Sequence, residues 1–379
     1  MPIAPRIIVL LESDQGYNRK VIRGLARHAR IHGLGTFLRS GLIPEPSALE
    51  GFGAVGAVAS VTSRRVLRDL KALSMPVVNI STWLGDLPVA TVCPDNLQIG
   101  QMAAEYFMGR QFRRVAFYGG QSRAYVNDRR HAFSDSLAQK GIEMINLPAA
   151  GYSQNWREQI QQMAATLKAM SKPMGVFCAN DEEGRHIIEI CRRGQIHVPD
   201  EISVLGVDND EMLCEISAPP LSSIDTQAER IGYEAAAMLV RLIEGEEGRE
   251  AILRIPPAGV VERQSSETIA VEDPDVAAAL HYIRHHADQP IRVTDVIAAT
   301  NLSRRTLERR FAETVGRTPS VEIRRQHVER AKYLLSFTDW NLTRIAYGSG
   351  FRSFRQLANV FRADLNCSPT QWRKRSNLG

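Results

Sequence analysis

Carboxylate and amide side chains directly follow several short apolar runs of this sequence. Asn180 and Asp181 follow "GVFCA", Asp208 and Asn209 follow "SVLGV", and Asp95 follows "ATVCP". Each of these groups can accept or donate hydrogen bonds in paired geometry to neighbouring hydroxyls, so together they suit a polyhydroxylated ligand. The alternative is that they are helix N-caps or turn formers, for which Asp and Asn are equally suited.

A second set of chemically capable side chains lies in the last third of the chain, in two segments with apolar residues at helical spacing. Leu307 and Phe311 mark the buried side of the first segment, and Phe354, Leu357 and Phe361 mark that of the second. The side chains predicted to project outward are Arg305, Glu308 and Arg309 in the first segment, with Arg304 at the edge of that face, and Arg355, Gln356 and Asn359 in the second. Arg pairs with guanine, Asn or Gln with adenine, and Glu accepts from cytosine, so these faces could read DNA bases. The alternative is a solvated charged face.

The first set requires a scaffold that brings the ends of several strands together. The runs predicted to be buried strands are Ile7–Leu11, Val55–Ser60, Val77–Ile80, Val115–Tyr118, Val176–Cys178 and Val204–Val207. The helical patterns between them are Arg19–Ile31, Leu97–Met108, Ala132–Lys140, Trp156–Met170 and Glu182–Arg193. This alternation predicts an α/β body with doubly wound parallel sheets in two lobes. Ligands of such folds bind beyond the carboxyl ends of the strands, where Trp156 could add an aromatic surface to the polar groups.

The second set requires a different, all-α scaffold. "VTDVIAATNLSRRTLERRFAETVG" and "NLTRIAYGSGFRSFRQLANVFRADLN" each read as a helix, a break and a second helix, with Ser303 and Ser353 as the predicted N-caps. Two such units in tandem predict paired helix-turn-helix motifs. We therefore expect a body over residues 1–266, a linker over residues 267–274 and a DNA-binding domain over residues 275–379.

Charge supports this division. The segment from Asp275 to the C-terminus has 18 Lys and Arg against 9 Asp and Glu, a net charge of +9, whereas the preceding part of the chain has a net charge of −4. A basic domain on a mildly acidic body favours a polyanionic partner for the basic domain.

Other classes of protein and site fit the sequence less well. No apolar run approaches the length of a membrane span or a signal peptide, and the 5 cysteines are scattered, so we expect a cytoplasmic protein without membrane partners. Gly51, Gly53 and Gly56 match dinucleotide-binding spacing but precede an apolar run instead of following a strand. His281 and His285 sit at helical spacing without partner ligands. We expect no cofactor, no metal and no catalytic residues.

The body also resembles a known family. "RRVAFYGG", "DRRHAFSDSLAQKG", "GVFCANDEEGRHIIEICRRGQIHVPDEISVLGVDND" and "PPLSSIDTQAERIGYEAAAMLVRLIEG" are similar to the effector domain of lactose-repressor-type regulators, over residues 6–266. The resemblance implies a fold like that of periplasmic sugar-binding proteins, with the effector between two lobes. The effector-binding residues implied by motif position are Arg129, Asn180, Asp181, Asp208, Trp156 and Asp95, and Tyr17 and Asn209 complete the predicted set. Thr226 departs from the family, whose members often have Gln there.

The C-terminal part resembles a second family. "LSRRTLERRFAETVGRTP", "ERAKYLLS" and "IAYGSGFRSFRQLANVFRADLNCSPTQWR" are similar to the arabinose-regulator class of DNA-binding domains, over residues 276–373. By this resemblance the two outward faces would read successive major grooves about one helical turn apart.

Together the resemblances imply a sugar-responsive transcription factor. The implied effector is a pentose, with D-xylose as the first candidate. The implied nucleic acid is a double-stranded operator with repeated half-sites. A homodimer, and RNA polymerase as a partner if the protein is an activator, are also expected. The alternatives are a regulator of the same design for another sugar, as activator or repressor, and, more remotely, a sugar-binding transport protein or a sugar-converting enzyme.

Overall fold

The chain divides into two compact units, Met1–Ala270 and Val271–Gly379. The computed structural model describes residues 6–38, 53–73, 75–120, 123–148, 156–245, 251–268, 270–271 and 273–376. Within these ranges the first unit is α/β and the second is entirely helical. None of the helices described is both long and apolar enough to cross a bilayer.

The elements of the first unit alternate as the sequence predicts. In chain order they are β1 (Arg6–Leu10), α1 (Gly16–Ile31), β2 (Gly35–Leu38), β3 (Ala54–Ala59), α2 (Arg64–Lys71), β4 (Val77–Asn79), β5 (Thr91–Pro94), α3 (Asn96–Gly109), β6 (Val115–Tyr118), α4 (Ala124–Ala138), β7 (Met144–Leu147), α5 (Trp156–Ala169), β8 (Met174–Cys178), α6 (Asp181–Arg193), β9 (Ile202–Val207), α7 (Glu211–Ile216), β10 (Ser222–Asp225), α8 (Ala228–Glu244), β11 (Ile252–Ile255) and β12 (Gly259–Val261).

These strands form two sheets, one in each lobe. The first has the order β2-β1-β3-β4-β5-β11 and its described pairs are parallel. The second has the order β7-β6-β8-β9-β10-β12, with β12 antiparallel to β10. The central strands are continuous apolar runs because helices cover both faces of a parallel sheet. The predicted two-lobed, doubly wound α/β body is confirmed.

The chain passes between the lobes three times. It leaves the first lobe after β5, returns after β10 to form α8, and enters the second lobe again after β11. Helix α8 belongs to the first lobe because Ile231, Ala235 and Leu239 are buried in one cluster with Val21 and Leu25 of α1. This connectivity places the carboxyl ends of strands from both sheets at one cleft.

The second unit contains seven described helices. They are α9 (Pro274–His285), α10 (Val293–Ala298), α11 (Arg304–Val315), α12 (Pro319–Phe337), α13 (Leu342–Gly348), α14 (Phe354–Leu365) and α15 (Pro369–Ser376). Helices α10 and α11 form one helix-turn-helix unit, α13 and α14 form the other, and α12 lies between them in sequence. The predicted caps are confirmed, because Ser303 accepts a hydrogen bond from the Thr306 N–H at 3.3 Å and Ser353 accepts one from the Gln356 N–H at 3.2 Å.

One predicted core position of this unit is wrong. Leu357 and Phe361 are fully buried, as predicted, but Phe354 is 38% exposed. Phe354 opens α14 directly after the cap at Ser353, so it lies at the helix end, beyond the part of the helix that packs on the core. The buried side of α14 consists instead of Leu357, Ala358 and Phe361.

Candidate effector cleft and DNA-reading helices

A cleft of about 550 Å³ opens between the two lobes, a volume typical of small-molecule sites. The polar and aromatic residues of its lining that matter most here are Tyr17, Trp83, Tyr125, Arg129, Asn180 and Asp208. Tyr17 follows β1, Asn180 follows β8 and Asp208 follows β9, so the cleft lies where the carboxyl ends of the strands converge.

Arg129 and Asp208 face each other in this cleft without forming a hydrogen bond. An Arg129 guanidinium nitrogen lies 3.9 Å from Asp208 Oδ1. Arg129 is only 3% exposed and is held in place by hydrogen bonds from Nε to Asn96 Oδ1 at 2.9 Å and from a terminal nitrogen to the Ala179 carbonyl at 2.5 Å. Burial raises the pKa of Asp208 to about 6, and the nearby cations of Arg129 and Lys20 oppose that rise. A hydroxyl between the two could accept from the guanidinium and donate to the carboxylate.

Aromatic rings form another part of the cleft lining. The rings of Trp83 and Tyr125 lie 6.3 Å apart between centroids. The Arg123 guanidinium lies 4.2 Å from the centre of the Trp83 ring and donates a hydrogen bond to the Tyr125 hydroxyl at 2.9 Å. Tyr17 donates its hydroxyl proton to the Ile80 carbonyl at 3.2 Å. A sugar ring has apolar C–H faces and polar hydroxyl groups. The flat aromatic faces of the cleft can pack on the former, and the charged groups beside them can form hydrogen bonds with the latter.

The turn that carries Asp208 has an unusual backbone. Asp208 has φ of 105° and Asn209 has φ of 49°, both in a region that residues other than glycine seldom adopt. The first lobe contacts this turn through α1, where Lys20 donates to the Asn209 carbonyl and Arg19 lies 3.6 Å from the Asp210 carboxylate. Glycine at position 16 lets the Asp210 carboxylate lie close, because a Cβ there would be 2.0 Å from Asp210 Oδ2 and the carboxylate would have to move.

Asp181 is at the start of α6, behind the wall of the cleft instead of on it. Its side chain is buried, and it accepts hydrogen bonds from the Asp210 N–H at 2.7 Å and from the Ser223 hydroxyl at 2.6 Å. Burial raises the pKa of Asp181 to about 8, the charge of Asp208 adds to the rise, and the two hydrogen bonds oppose it. Its contacts are therefore with the protein.

Of the remaining predicted ligand residues, one lines the cleft and two contact other parts of the protein instead. Asp95 caps α3 through the Gln98 N–H at 3.0 Å and is not part of the cleft lining. Asn180 lines the cleft and also caps α6, accepting from the Glu183 N–H at 2.9 Å, which leaves its amide N–H groups for a ligand. The Asn209 side chain contacts Asp225 at 3.3 Å and Arg263 at 2.9 Å instead of the cleft. The Trp156 side chain lies outside the described residues.

Among the cleft residues that sequence reasoning missed are two aromatic ones, Trp83 and Tyr125. Trp83 lies in the loop after β4, and Tyr125 lies in the first turn of α4. Trp83 could have been identified as a cleft residue from the sequence, because the predicted strand Val77–Ile80 ends three residues before it. The signal for Tyr125 was weaker, because the polar start of α4 hides its helical pattern and the sequence predicted that helix only from Ala132.

Helix α11 presents the first predicted DNA-reading face. Arg304, Arg305 and Arg309 are exposed and Glu308 is partly exposed. Arg305 and Arg309 lie on the side opposite the buried Leu307 and Phe311, whereas Arg304, the first residue of the helix, lies at the edge of the buried side. Two ion pairs run along the helix, from Arg304 to Glu308 at 2.9 Å and from Arg309 to Glu313 at 3.0 Å. Exposed pairs of this kind contribute little to stability, so these side chains can exchange partners at low cost.

Helix α14 presents the second face. Arg355, Gln356 and Asn359 are exposed, and the Gln356 side-chain oxygen accepts a hydrogen bond from the Arg352 N–H at 2.9 Å. That bond orients the Gln356 amide and leaves its N–H groups for a base edge. The exposed positions lie in the first two turns of α14, where helix-turn-helix proteins contact bases.

Comparison with known proteins agrees with this division. Residues 104–266 match a periplasmic binding protein-like domain, and residues 296–375 match a helix-turn-helix domain. Among curated proteins, the xylose operon regulatory protein of Escherichia coli K12 is 28% identical over 97% of this chain and 96% of its own length. That of Haemophilus influenzae is also 28% identical, over 97% of this chain and 98% of its own length. A solved structure of a xylose-binding transcription activator matches with a TM-score of 0.80 and 27% identity, covering 97% of each chain.

The fold, the cleft and the paired helix-turn-helix units define a class: this is a helix-turn-helix transcription regulator with a periplasmic-binding-protein-like domain. Within that class it is similar to the xylose operon regulatory proteins along nearly its whole length.

Proposed function

We propose that this protein is a sugar-responsive regulator whose effector is a pentose, D-xylose first, bound in the cleft between the lobes. The observation that carries the proposal is the facing pair of Arg129 and Asp208, 3.9 Å apart and both lining the cleft. The names of two similar proteins also favour D-xylose as the effector: one is a xylose operon regulatory protein and the other a xylose-binding transcription activator.

We assign the cleft residues separate roles. Arg129 donates to one or two sugar hydroxyls, Asp208 accepts from them, and the side-chain amide N–H groups of Asn180 add a further donor. Trp83 and Tyr125 contact the C–H faces of the ring. Asp95, Asp181 and Asn209 receive no direct sugar contact in this proposal, because each is engaged with the protein.

The nucleic-acid partner in this proposal is a double-stranded operator with repeated half-sites. The exposed faces of α11 and α14 each insert into a major groove, and Arg305 and Arg355 are exposed arginines in the first turns of these helices that are outside the helix-internal ion pairs named above. The protein acts as a homodimer in the cytoplasm and, as an activator, contacts RNA polymerase. The domain limits proposed are 1–266 for the effector domain, 267–274 for the linker and 275–379 for the DNA-binding domain.

Thermal unfolding of the full chain with a panel of pentoses and hexoses tests the effector. A sugar at a hundred times its Kd adds about 2.7 kcal/mol to the free energy of unfolding. We expect D-xylose to raise Tm and the Asp208→Asn variant to lose most of that rise. Asp69→Asn is the matched control, because Asp69 is a partly exposed carboxylate on α2 that does not line the cleft.

The outcomes separate the alternatives. A rise with another sugar but not with D-xylose identifies a regulator of the same design for that sugar. No rise with any sugar contradicts the sensor proposal as a whole. Turnover of a pentose by the purified protein would instead revive the enzyme alternative.

A further inference from the structure

The buried carboxylate of Asp181 is linked to the turn that carries Asp208. Asp181 is 1% exposed. Its Oδ2 accepts a hydrogen bond from the Asp210 N–H at 2.7 Å, and the Cys214 thiol lies 3.6 Å from the same oxygen. Its Oδ1 accepts from the Ser223 hydroxyl at 2.6 Å. One carboxylate thus meets a peptide N–H of the turn and a hydroxyl of β10.

Ser223 extends this link to the next peptide. The residue is fully buried on β10, and its hydroxyl oxygen accepts the Asn209 N–H at 2.9 Å while its proton is donated to Asp181. Asp181 therefore fixes the Asp210 N–H directly and the Asn209 N–H through Ser223. These are the two consecutive peptide groups that follow Asp208.

The position of those two N–H groups decides where Asp208 points. Asp208 and Asn209 both have positive φ, and such conformations persist in residues other than glycine only where the surroundings hold them. The Asp208 N–H itself donates to the Ile224 carbonyl at 3.0 Å, so the turn is held on both sides of the Asp208 side chain. The sheet makes room for the carboxylate at Gly206, where a Cβ would lie 2.3 Å from Asp181 Oδ1.

We propose that Asp181 and Ser223 are positioning residues for the effector: they hold the Asp208–Asp210 turn in its positive-φ conformation and thereby aim the Asp208 carboxylate into the cleft opposite Arg129. The inference rests on the proposed function, because it assigns a role in sugar binding to two side chains that do not touch the sugar. Without them the turn relaxes, and Asp208 loses its alignment while the rest of the cleft lining is kept.

A double-mutant cycle on the full chain tests this role, with D-xylose affinity measured by titration calorimetry. Ser223→Ala removes the link to the Asn209 N–H, and we expect it to raise the Kd about tenfold. In the Asp208→Asn background the same substitution should change the Kd by less than about twofold, because the side chain that it positions has lost its charge. In the Trp83→Ala background its effect should remain about tenfold, since Trp83 lies outside the turn.

Two further variants control for the loss of a buried serine hydroxyl in itself and for a failure of Ser223→Ala to fold. Ser203→Ala is the matched control, because Ser203 is an equally buried serine on the neighbouring strand β9 and makes none of the contacts with the turn. It should leave the Kd unchanged. Asp181→Asn keeps one acceptor for the Asp210 N–H, so we expect a smaller loss than for Ser223→Ala, and it serves as the second test if Ser223→Ala fails to fold.

Three results would overturn the inference. An unchanged Kd for Ser223→Ala and Asp181→Asn excludes a positioning role. Equal losses in the wild-type, Asp208→Asn and Trp83→Ala backgrounds would show a general structural effect that does not act through Asp208. If the wild-type chain binds no sugar in the panel, the proposed function has failed and this inference fails with it, whereas sugar binding by wild type with either of the first two results rejects the inference alone.

Discussion

At the scale of single residues, the proposed function makes sugar binding depend on the charge state of Asp208. Burial raises the pKa of Asp208 to about 6, and the cations of Arg129 and Lys20 keep it from rising further. At neutral pH the carboxylate is therefore ionised, while a modest fall in pH protonates it. An ionised carboxylate accepts hydroxyl protons with both oxygens, whereas the protonated form has lost part of that capacity.

We predict that sugar affinity falls as pH decreases through about 6. Because the sugar favours the ionised form of Asp208 and the pKa of the free protein is about 6, binding is strongest above that pH and weakens by up to about tenfold per pH unit below it. Calorimetric titrations between pH 5 and pH 7.5 measure this, at roughly half-unit steps. Asp208→Asn should flatten the profile. A pH-independent Kd in the wild-type chain would contradict the assignment of Asp208 as the accepting group.

The sequence predicted part of the cleft, because a residue that follows a parallel strand must lie at the carboxyl edge of the sheet. The polar residues that follow buried strands lie at the carboxyl edge of the sheets, because a parallel sheet gathers those ends together. Position alone did not distinguish Asp208, which faces the cleft, from Asp181, which faces the protein. Both follow apolar strands, and only the path of the turn after β9, fixed by contacts from β10, separates their roles.

At the scale of elements, helix α14 combines a side that packs on the core with an exposed side that is proposed to read DNA. Leu357 and Phe361 are buried in the core of its helix-turn-helix unit together with Ile345 of α13 and Leu335 of α12. That packing fixes the rotation of α14 and so the direction of Arg355, Gln356 and Asn359. Rotation of a reading helix has to be fixed in this way, because base recognition depends on the placement of single side chains.

We predict that Arg355→Ala weakens binding to the preferred operator by about 1–3 kcal/mol and relaxes the base preference at one position of one half-site. The reason is that Arg355 is exposed in the first turn of α14, where a bidentate contact to guanine is possible. Selection from a randomised DNA library, followed by affinity measurements on single-base variants, reads out both effects. Arg362→Ala is the matched control, an exposed arginine in the last turn of the same helix. Equal weakening on all sequences would make Arg355 a phosphate contact instead.

Some of the helices and strands could be predicted from the sequence, and others could not. The six predicted strands correspond to β1, β3, β4, β6, β8 and β9, which are apolar and largely buried. Strand β10 was missed because it reads "SSID": Ser222 and Ser223 are fully buried, but their hydroxyls are satisfied by hydrogen bonds that no local pattern reveals. Helix α4 was predicted to begin at Ala132 and begins at Ala124, because its first turns carry Arg129 and other polar residues that face the cleft.

At the scale of the whole molecule, the two ligands are linked by thermodynamics. The first unit carries the cleft and the second carries the reading helices and an excess of positive charge, +9 from Asp275 onward. A regulator of this design needs a free energy of coupling between sugar and DNA, which arises only if the two ligands favour the same state of the protein. Coupling is reciprocal, so a sugar that tightens DNA binding by some factor must itself be bound tighter by the same factor when operator DNA is present.

We predict that saturating D-xylose and operator DNA each tighten the binding of the other by one common factor, about 5- to 150-fold. Fluorescence anisotropy of labelled operator gives the DNA Kd with and without sugar, and calorimetry gives the sugar Kd with and without operator. Salt has to be held constant, because the basic domain makes DNA affinity fall steeply as ionic strength rises. Asp208→Asn is the control: it should bind operator as the sugar-free wild type does and respond weakly to sugar. A factor of one in both directions would mean that the cleft does not gate the reader, and unequal factors would mean that an additional equilibrium, such as a change in dimerisation, separates the two measurements.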